Sequence, residues 1–278
     1  MQDHAVGSVS AQLAPFVGGV HGYRLEGLPA GTHVGLPSRS LTVVISLGDP
    51  LVITGPGGSG PVAMGSLVGG LHAEPALIHH DGSQHGIQLS LTPRGARALL
   101  GVPPRELTSQ VVDLEDLLGS DGALLRERLH GLGTWVERLG LVVSLFERRL
   151  ERADGAVHSE ARPELVEAWR VLSRWHGAVP IAHVADHVGW STRHLGERFR
   201  GEYGLGPKTV ARVMRFERSS RLVRPGRRVA EIAATCGYAD QAHLTREWRA
   251  IAGVTPARWL VDDVLANVQD DEVLFATG

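Results

Sequence analysis

The chain has 278 residues, 43 % of them hydrophobic, with 28 basic and 30 acidic side chains and a formal charge of −2. That length holds two domains of ordinary size, the apolar content excludes a disordered chain, and no run approaches the roughly 20 apolar residues needed to cross a bilayer. The one cysteine, Cys236, excludes an internal disulfide, cannot by itself supply a structural zinc site, and reads as a small buried apolar residue.

The opening "MQDHAVGSVSAQLAPF" lacks a basic start followed by an apolar core, so a cytoplasmic protein is expected, with residues 1–18 as a flexible N-terminus. Residues 19–100 change character. The β-rich runs "LTVVIS", "PLVIT", "SLVGGL", "ALIHH" and "GIQLSL" are separated by turns such as "GPGGSGP" and "LPAG". Short strands at this spacing predict a small antiparallel β-barrel or sandwich. The "GPGGSG" stretch has no following Lys and Ser/Thr, so it is a turn and not a phosphate loop.

His33, His72, His79, His80, Asp81 and His85 cluster in this half, with Glu74 beside them. Imidazoles on adjacent strands can converge on zinc or iron. Adjacent His79 and His80 point to opposite faces of a strand, however, and no His-x-His pair puts two imidazoles on one face. The expectation is therefore no metal and no cofactor. Nor does the chain carry a nucleophile motif or paired carboxylates, so no catalytic residue is assigned and the protein is not expected to be an enzyme.

Helical segments follow: "RGARALLG", "LEDLLG", "GALLRERLHGL" and "TWVERLGLVVSLFERRLERA". Residues 101–162 are read as a helical linker or oligomerisation region, with a break at Asp154 to Pro163 before "PELVEAWRVLSRW". Charge then separates. From Arg170 to Trp259 there are sixteen basic and seven acidic residues, a net +9, which leaves −11 for the rest of the chain. A basic module for a polyanion joined to an acidic module with another task is the simplest division.

Within this basic module the same pattern occurs twice, in "VADHVGWSTRHLGERF" and in "IAATCGYADQAHLTREW". Apolar residues at helical spacing (Ile181, Val184, Ala185, Val188; Val229, Ile232, Ala233, Cys236) end at Gly189 and Gly237. Ser191 and Asp240 then offer an oxygen to the free N–H groups of a new helix. Leu195 and Phe199 answer to Leu244 and Trp248, one turn apart on one face. Both copies leave through glycine and proline, in "GLGPK" and "GVTPA". This is the grammar of a helix-turn-helix, given twice, and duplex DNA is the expected partner.

Over roughly Val179 to Leu260 the chain resembles the AraC/XylS-type family of bacterial transcription regulators. The resemblance rests on "IAHVADHVGWSTRHLGERF", on "GPKTVARVMRFERSSRLV" and on "VAEIAATCGYADQAHLTREWRAIAGVTPARW". It implies one chain reading DNA with two helix-turn-helix units joined by a rigid helix, here Lys208 to Val223. It also implies a sensory or oligomerisation role for the acidic half, with a cupin-like barrel as its form. "GYRLEGLPAGTHVGLPS" looks like the N-terminal half of actinobacterial members.

With Leu195 and Phe199 inward, Arg193, Gly196, Glu197 and Arg200 share the outer face of the first recognition helix. Arg193 is a candidate guanine reader. Glu197 either accepts from a cytosine amino group or pairs with Arg193 or Arg200. Gly196 stands where the family often has a polar side chain, which weakens the first reader. In the second helix Gln241, Ala242, Thr245 and Arg246 are candidate base contacts. Ser191, Thr192, Arg249, Thr255 and Arg258 are candidate phosphate contacts.

The expected fold is α+β overall: a small antiparallel cupin-like β-barrel with helices, then an all-α double helix-turn-helix over residues 163–262, and an acidic tail over 263–278. The expected function is a sequence-specific DNA-binding transcription regulator, controlled by an effector or partner and reading an asymmetric site. Expected partners are double-stranded DNA, a small-molecule effector in the N-terminal domain and RNA polymerase, with no membrane. The alternatives are a metal-binding cupin enzyme fused to a DNA reader and a protein-interaction module.

Overall fold

About half of the first hundred residues are laid down as strands, the longer ones by alternation of apolar and polar side chains. In the computed structural model, which describes residues 2–58, 60–154 and 161–262, these are β1 (Gln2–Val6), β2 (Val17–Leu25), β3 (Gly31–Gly35), β4 (Leu41–Ser46), β5 (Leu51–Thr54), β6 (Pro61–Met64), β7 (Ser66–Gly69), β8 (Ala76–His80) and β9 (Gln84–Leu91), with β10 (Val111–Asp113) following later. They form a six-stranded sheet in the order β1-β2-β9-β4-β7-β10 and a four-stranded sheet in the order β3-β8-β5-β6. In β4, Leu41, Val43 and Ile45 are buried and lie opposite Leu91, Leu89 and Ile87 of β9, so one face of the central pair is continuous core.

The α+β class stands, and the small antiparallel barrel or sandwich expected from sequence takes the form of two sheets that do not close on each other among the described residues. Closure needs the outer strands to pair. Among the described residues β1 pairs with β2 alone and β10 with β7 alone, which leaves two edges. Strand β10 lies inside the segment read from sequence as a helical linker or oligomerisation region. The first segment also differs from the flexible start expected, because Gln2–Val6 pairs along its length with β2, Gln2 opposite Leu25 and Val6 opposite His21. The expected break is largely, and the tail 263–278 entirely, outside the described residues.

Contacts divide the chain into two units. One comprises Met1–Thr32, Ser40–Gly70 and Ile78–Glu160; the other comprises His33–Arg39, Leu71–Leu77 and Ala161–Gly278. In the first, α1 (Pro93–Gly95) runs into a π-helical turn at Ala96–Leu100, followed by α2 (Pro104–Leu107), α3 (Leu114–Leu118), α4 (Ser120–His130) and the long α5 (Trp135–Asp154). Leu139, Val142, Phe146 and Leu150 give α5 one buried face. Its first residue explains Gly22 of β2: a Cβ there would lie 2.3 Å from the Trp135 ring. The Trp135 indole N–H donates to the Asp3 carboxylate at 2.8 Å, tying the edge strand down.

Among its described residues the second unit contains the helices α6 (Pro163–Arg174), α7 (Ile181–His187), α8 (Thr192–Tyr203), α9 (Pro207–Ser220), α10 (Val229–Thr235), α11 (Gln241–Ala252) and α12 (Pro256–Asp262). The bridging helix α9 has 14 residues, a span of about 21 Å. None of the helices among the described residues is long and apolar enough to cross a membrane.

Candidate nucleic-acid interface

Each half of the second unit is built by the local signals the sequence repeats. Gly189 and Gly237 turn the chain with φ of 74° and 75°, in the left-handed region that a side chain disfavours. Ser191 Oγ then accepts from the His194 N–H at 3.2 Å, and Asp240 Oδ1 accepts from the His243 N–H at 2.6 Å, which starts α8 and α11. The turn aromatic closes over the same histidine in both copies, Trp190 edge-on to His194 at 4.7 Å and Tyr238 edge-on to His243 at 5.3 Å.

Behind the two helices lie separate apolar anchors. Leu195 and Phe199 are fully buried, and Phe199 stacks on Trp169 of α6 at 5.8 Å. Tyr203 packs on both rings and donates its hydroxyl to the Leu165 carbonyl. In the second half Leu244 and Trp248 are fully buried, joined by Ile232, Ala233, Ile251 and Trp259. Cys236 sits in that cluster at 1 % exposure, and burial pushes its thiol above the usual range.

With those anchors fixed, the opposite faces are set. On α8, Thr192, Arg193, Glu197 and Arg200 are exposed. Arg193 Nε donates to Glu197 Oε1 at 3.0 Å, so the guanine reader expected from sequence is held by its neighbour one turn on. A Cβ on Gly196 would meet nothing within 4 Å, which leaves a gap in the middle of that face. On α11, Gln241, Ala242, Thr245, Arg246 and Arg249 together line one open groove. Neither Arg246 nor Arg249 has an ion-pair partner among the described residues. The Thr245 hydroxyl donates back to the Gln241 carbonyl at 2.8 Å.

Of the remaining candidates, Ser191 spends its oxygen as the α8 cap, and Thr255 Oγ1 caps α12 by accepting from the Arg258 N–H at 3.2 Å. Arg258 is exposed on the first turn of α12. Sequence reasoning missed Arg212 of α9, whose guanidinium grips the Glu247 carboxylate of α11 with bonds of 2.9 and 3.1 Å. It also missed the ion cluster on the outer surface of α6. There Glu167 accepts from Arg170 and from His187 of α7 at 2.7 Å, and these partners, Arg170 first, hold its carboxyl down at about 2.

The histidines of the acidic half find other uses. His79 lies between two threonine hydroxyls, Thr32 at 3.1 Å from Nδ1 and Thr54 at 3.0 Å from Nε2. His85 packs edge-on to Trp135, and burial followed by the Arg138 charge holds it below the usual imidazole range. Burial also lowers His72, whose Nδ1 meets the Glu74 carbonyl. Among the described residues no three His, Cys, Asp or Glu side chains are grouped to hold a metal.

Residues 184–261 match a family model described as a helix-turn-helix domain. Among solved structures the chain is similar to ToxT from Vibrio cholerae, at 12 % identity over 87 % of this chain and 98 % of that one, with a TM-score of 0.53. ToxT bound to (E)-4-(8-methylnaphthalen-1-yl)but-3-enoic acid is similar at 12 % identity, 86 % and 97 % coverage and a TM-score of 0.51. The DNA-binding domain of AdpA, a global transcriptional factor solved with a target DNA, is 25 % identical over 35 % of this chain and 90 % of that domain, with a TM-score of 0.33. No curated protein matches the chain.

Proposed function

We propose that this chain, whose residues 184–261 match a helix-turn-helix domain model, is a transcription regulator of the AraC type that binds an asymmetric duplex site through α8 and α11. The observation that carries this is the pair of exposed helix faces built by one repeated pattern, in a segment with a net charge of +9. Tandem units in one chain read two successive, non-palindromic half-sites. In this reading Gln241, Ala242 and Arg246 approach base edges, while Thr192, Arg249 and Arg258 approach phosphates and set register. Ser191 and Thr255 act mainly as caps, and their helix-end N–H groups face the phosphates beside them.

The acidic half is proposed as the controlling module, and an apolar small molecule as its effector. A protein of the same fold holds an aryl butenoic acid, which supports that class of ligand. Control requires the effector to bind two states of the regulator with different affinity. RNA polymerase is the proposed downstream partner, the cytoplasm the proposed compartment, and no chemistry is assigned to the chain.

Sequencing of genomic fragments retained by the full-length protein tests the core of the proposal. Recovery of a shared bipartite sequence, with log affinity falling linearly as log salt rises, is expected. Retention indifferent to salt, or fragments with no common sequence, would overturn it.

A further inference from the structure

The bridging helix α9 turns one stripe toward the second reading unit. Arg212, Arg215, Phe216 and Ser219 are spaced i, i+3, i+4 and i+7, which places them on one side of a helix. Each makes a different bond. Arg212 pairs in two-pronged fashion with Glu247 at 2.9 and 3.1 Å. The Arg215 guanidinium lies over the Tyr238 ring, 5.8 Å from its centre. Phe216 meets Trp248 edge-on at 4.9 Å, and Ser219 accepts from the Trp248 indole at 2.8 Å.

The first reading unit reaches the same helix differently. At the position that matches Glu247 it has Arg198, which is exposed and has no ion pair among the described residues. One of its contacts with α9 is backbone against backbone. Gly177, with φ of 72°, lies so close to α9 that a Cβ would sit 2.0 Å from the Ala211 carbonyl oxygen. Both readers thus pack on one strut, the first with a close backbone approach at Gly177 that leaves no space for a side chain and the second through the 212-to-219 stripe.

Within that stripe the aromatic contact resists separation but tolerates small rotations. The fork does not. Two parallel N–H to oxygen bonds fix the guanidinium and carboxylate planes together, and with them the rotation of α11 about its own axis. The side chains are 36 % and 16 % exposed, so water competes only in part. Glu247 lies between Arg246, which faces the groove, and Trp248, which faces the core, so its direction also aims Arg246.

We propose that Arg212 and Glu247 are positioning residues for DNA reading: their fork sets the angular phase of the second recognition helix relative to the first, and so the half-site spacing that the protein accepts. This rests on the DNA-binding function proposed above.

The test uses full-length wild type, Arg212→Lys, Arg212→Met and the exchange Arg212→Glu with Glu247→Arg. Arg212→Lys keeps the charge and loses the fork, which protects the fold; the exchange rebuilds a fork in reverse. A duplex selected by wild type from a random library is compared with versions carrying one base pair more or less between its halves. That change moves one half-site by about 3.4 Å and turns it by about 35°. Wild type and the exchange are expected to lose affinity on the order of tenfold or more on the altered duplexes, the scale of one mismatched base pair. Arg212→Lys and Arg212→Met are expected to lose about threefold or less, with base preference inside each half-site unchanged and thermal unfolding of Arg212→Lys near wild type. Lysine and methionine variants that keep the full spacing penalty would overturn the proposal, as would an exchange that behaves like them. A wild type that selects no bipartite sequence removes the DNA-reading function, and this inference with it.

Discussion

The indole N–H of Trp248 donates to Ser219 Oγ at 2.8 Å, and Ser219 in turn donates to the Phe216 carbonyl at 2.7 Å, with all three residues buried. The chain of bonds ties the largest core side chain of the second reading unit to the bridging helix. Ser219→Ala leaves a buried indole donor unmet, which costs about 1–3 kcal/mol. Ser220→Ala removes a hydroxyl that donates to the Glu217 carbonyl, so it should cost less. Urea unfolding followed by tryptophan fluorescence should show the larger loss for Ser219→Ala. Equal losses would mean that the indole bond adds little.

Much of the second unit is legible in sequence because its signals are local. Ser191 and Asp240 cap the helices that follow them, and Gly189 and Gly237 turn the chain just before. Leu195, Phe199, Leu244 and Trp248 reveal their inward face by spacing alone, which also fixes the outward face of α11. What fails is non-local. The open sheets depend on which strands pair, and β10 finds β7 across more than forty residues. The short "QDHAV" run shows no strand alternation, and its Asp3 is held by a tryptophan 132 residues away. Arg212 and Glu247 look like ordinary surface charges until the angle between α9 and α11 brings them together. Sequence leaves Glu197 open between base contact and ion pair; in the free protein it is paired with Arg193.

A pH dependence follows from Glu167. Its pKa is lowered from 4.5 to about 2 by Arg170 and then His187. A carboxyl depressed in the folded state stabilises above its unfolded value, and that contribution is lost as pH falls from about 4.5 towards about 2. Wild type should therefore lose more melting temperature over this window than Glu167→Gln, and the two should converge below it. Because the cluster is surface-exposed the difference will be small and will shrink in high salt. Thermal melts at stepped pH check this, and parallel curves for the two proteins would show that the cluster is energetically silent.

Burial gives Cys236 a second measurable property. At 1 % exposure with a raised pKa, its thiolate is scarce and shielded. Alkylation of the native protein should be slow and should rise to that of a free thiol in denaturant. Rapid labelling under native conditions would place Cys236 outside the core of the second unit. Cys236→Ala should fold and bind DNA, whereas Cys236→Ser buries a hydroxyl and should be less stable.

The two proposed roles of arginine separate at Arg246 and Arg258. Arg246 lies on the exposed face of α11, with fully buried Leu244 and Trp248 two residues to either side, and it lines the groove with Gln241, Ala242, Thr245 and Arg249. Its side chain is exposed, and in the proposed complex, with α11 in the major groove, its fork is the one placed to meet a base edge. Arg258 stands on the first turn of α12, where Thr255 caps the helix. That is a place for a phosphate. Arg246→Ala should cost about 1–3 kcal/mol against the right base pair and relax preference at one or two positions. Arg258→Ala should weaken binding about equally on all duplexes and lower the salt slope by about one. Site selection from random duplexes with both variants, followed by salt titration, tests the pair. A wild-type preference kept by Arg246→Ala and altered by Arg258→Ala would mean that α11 lies in the groove in a different orientation, with α12 reading bases.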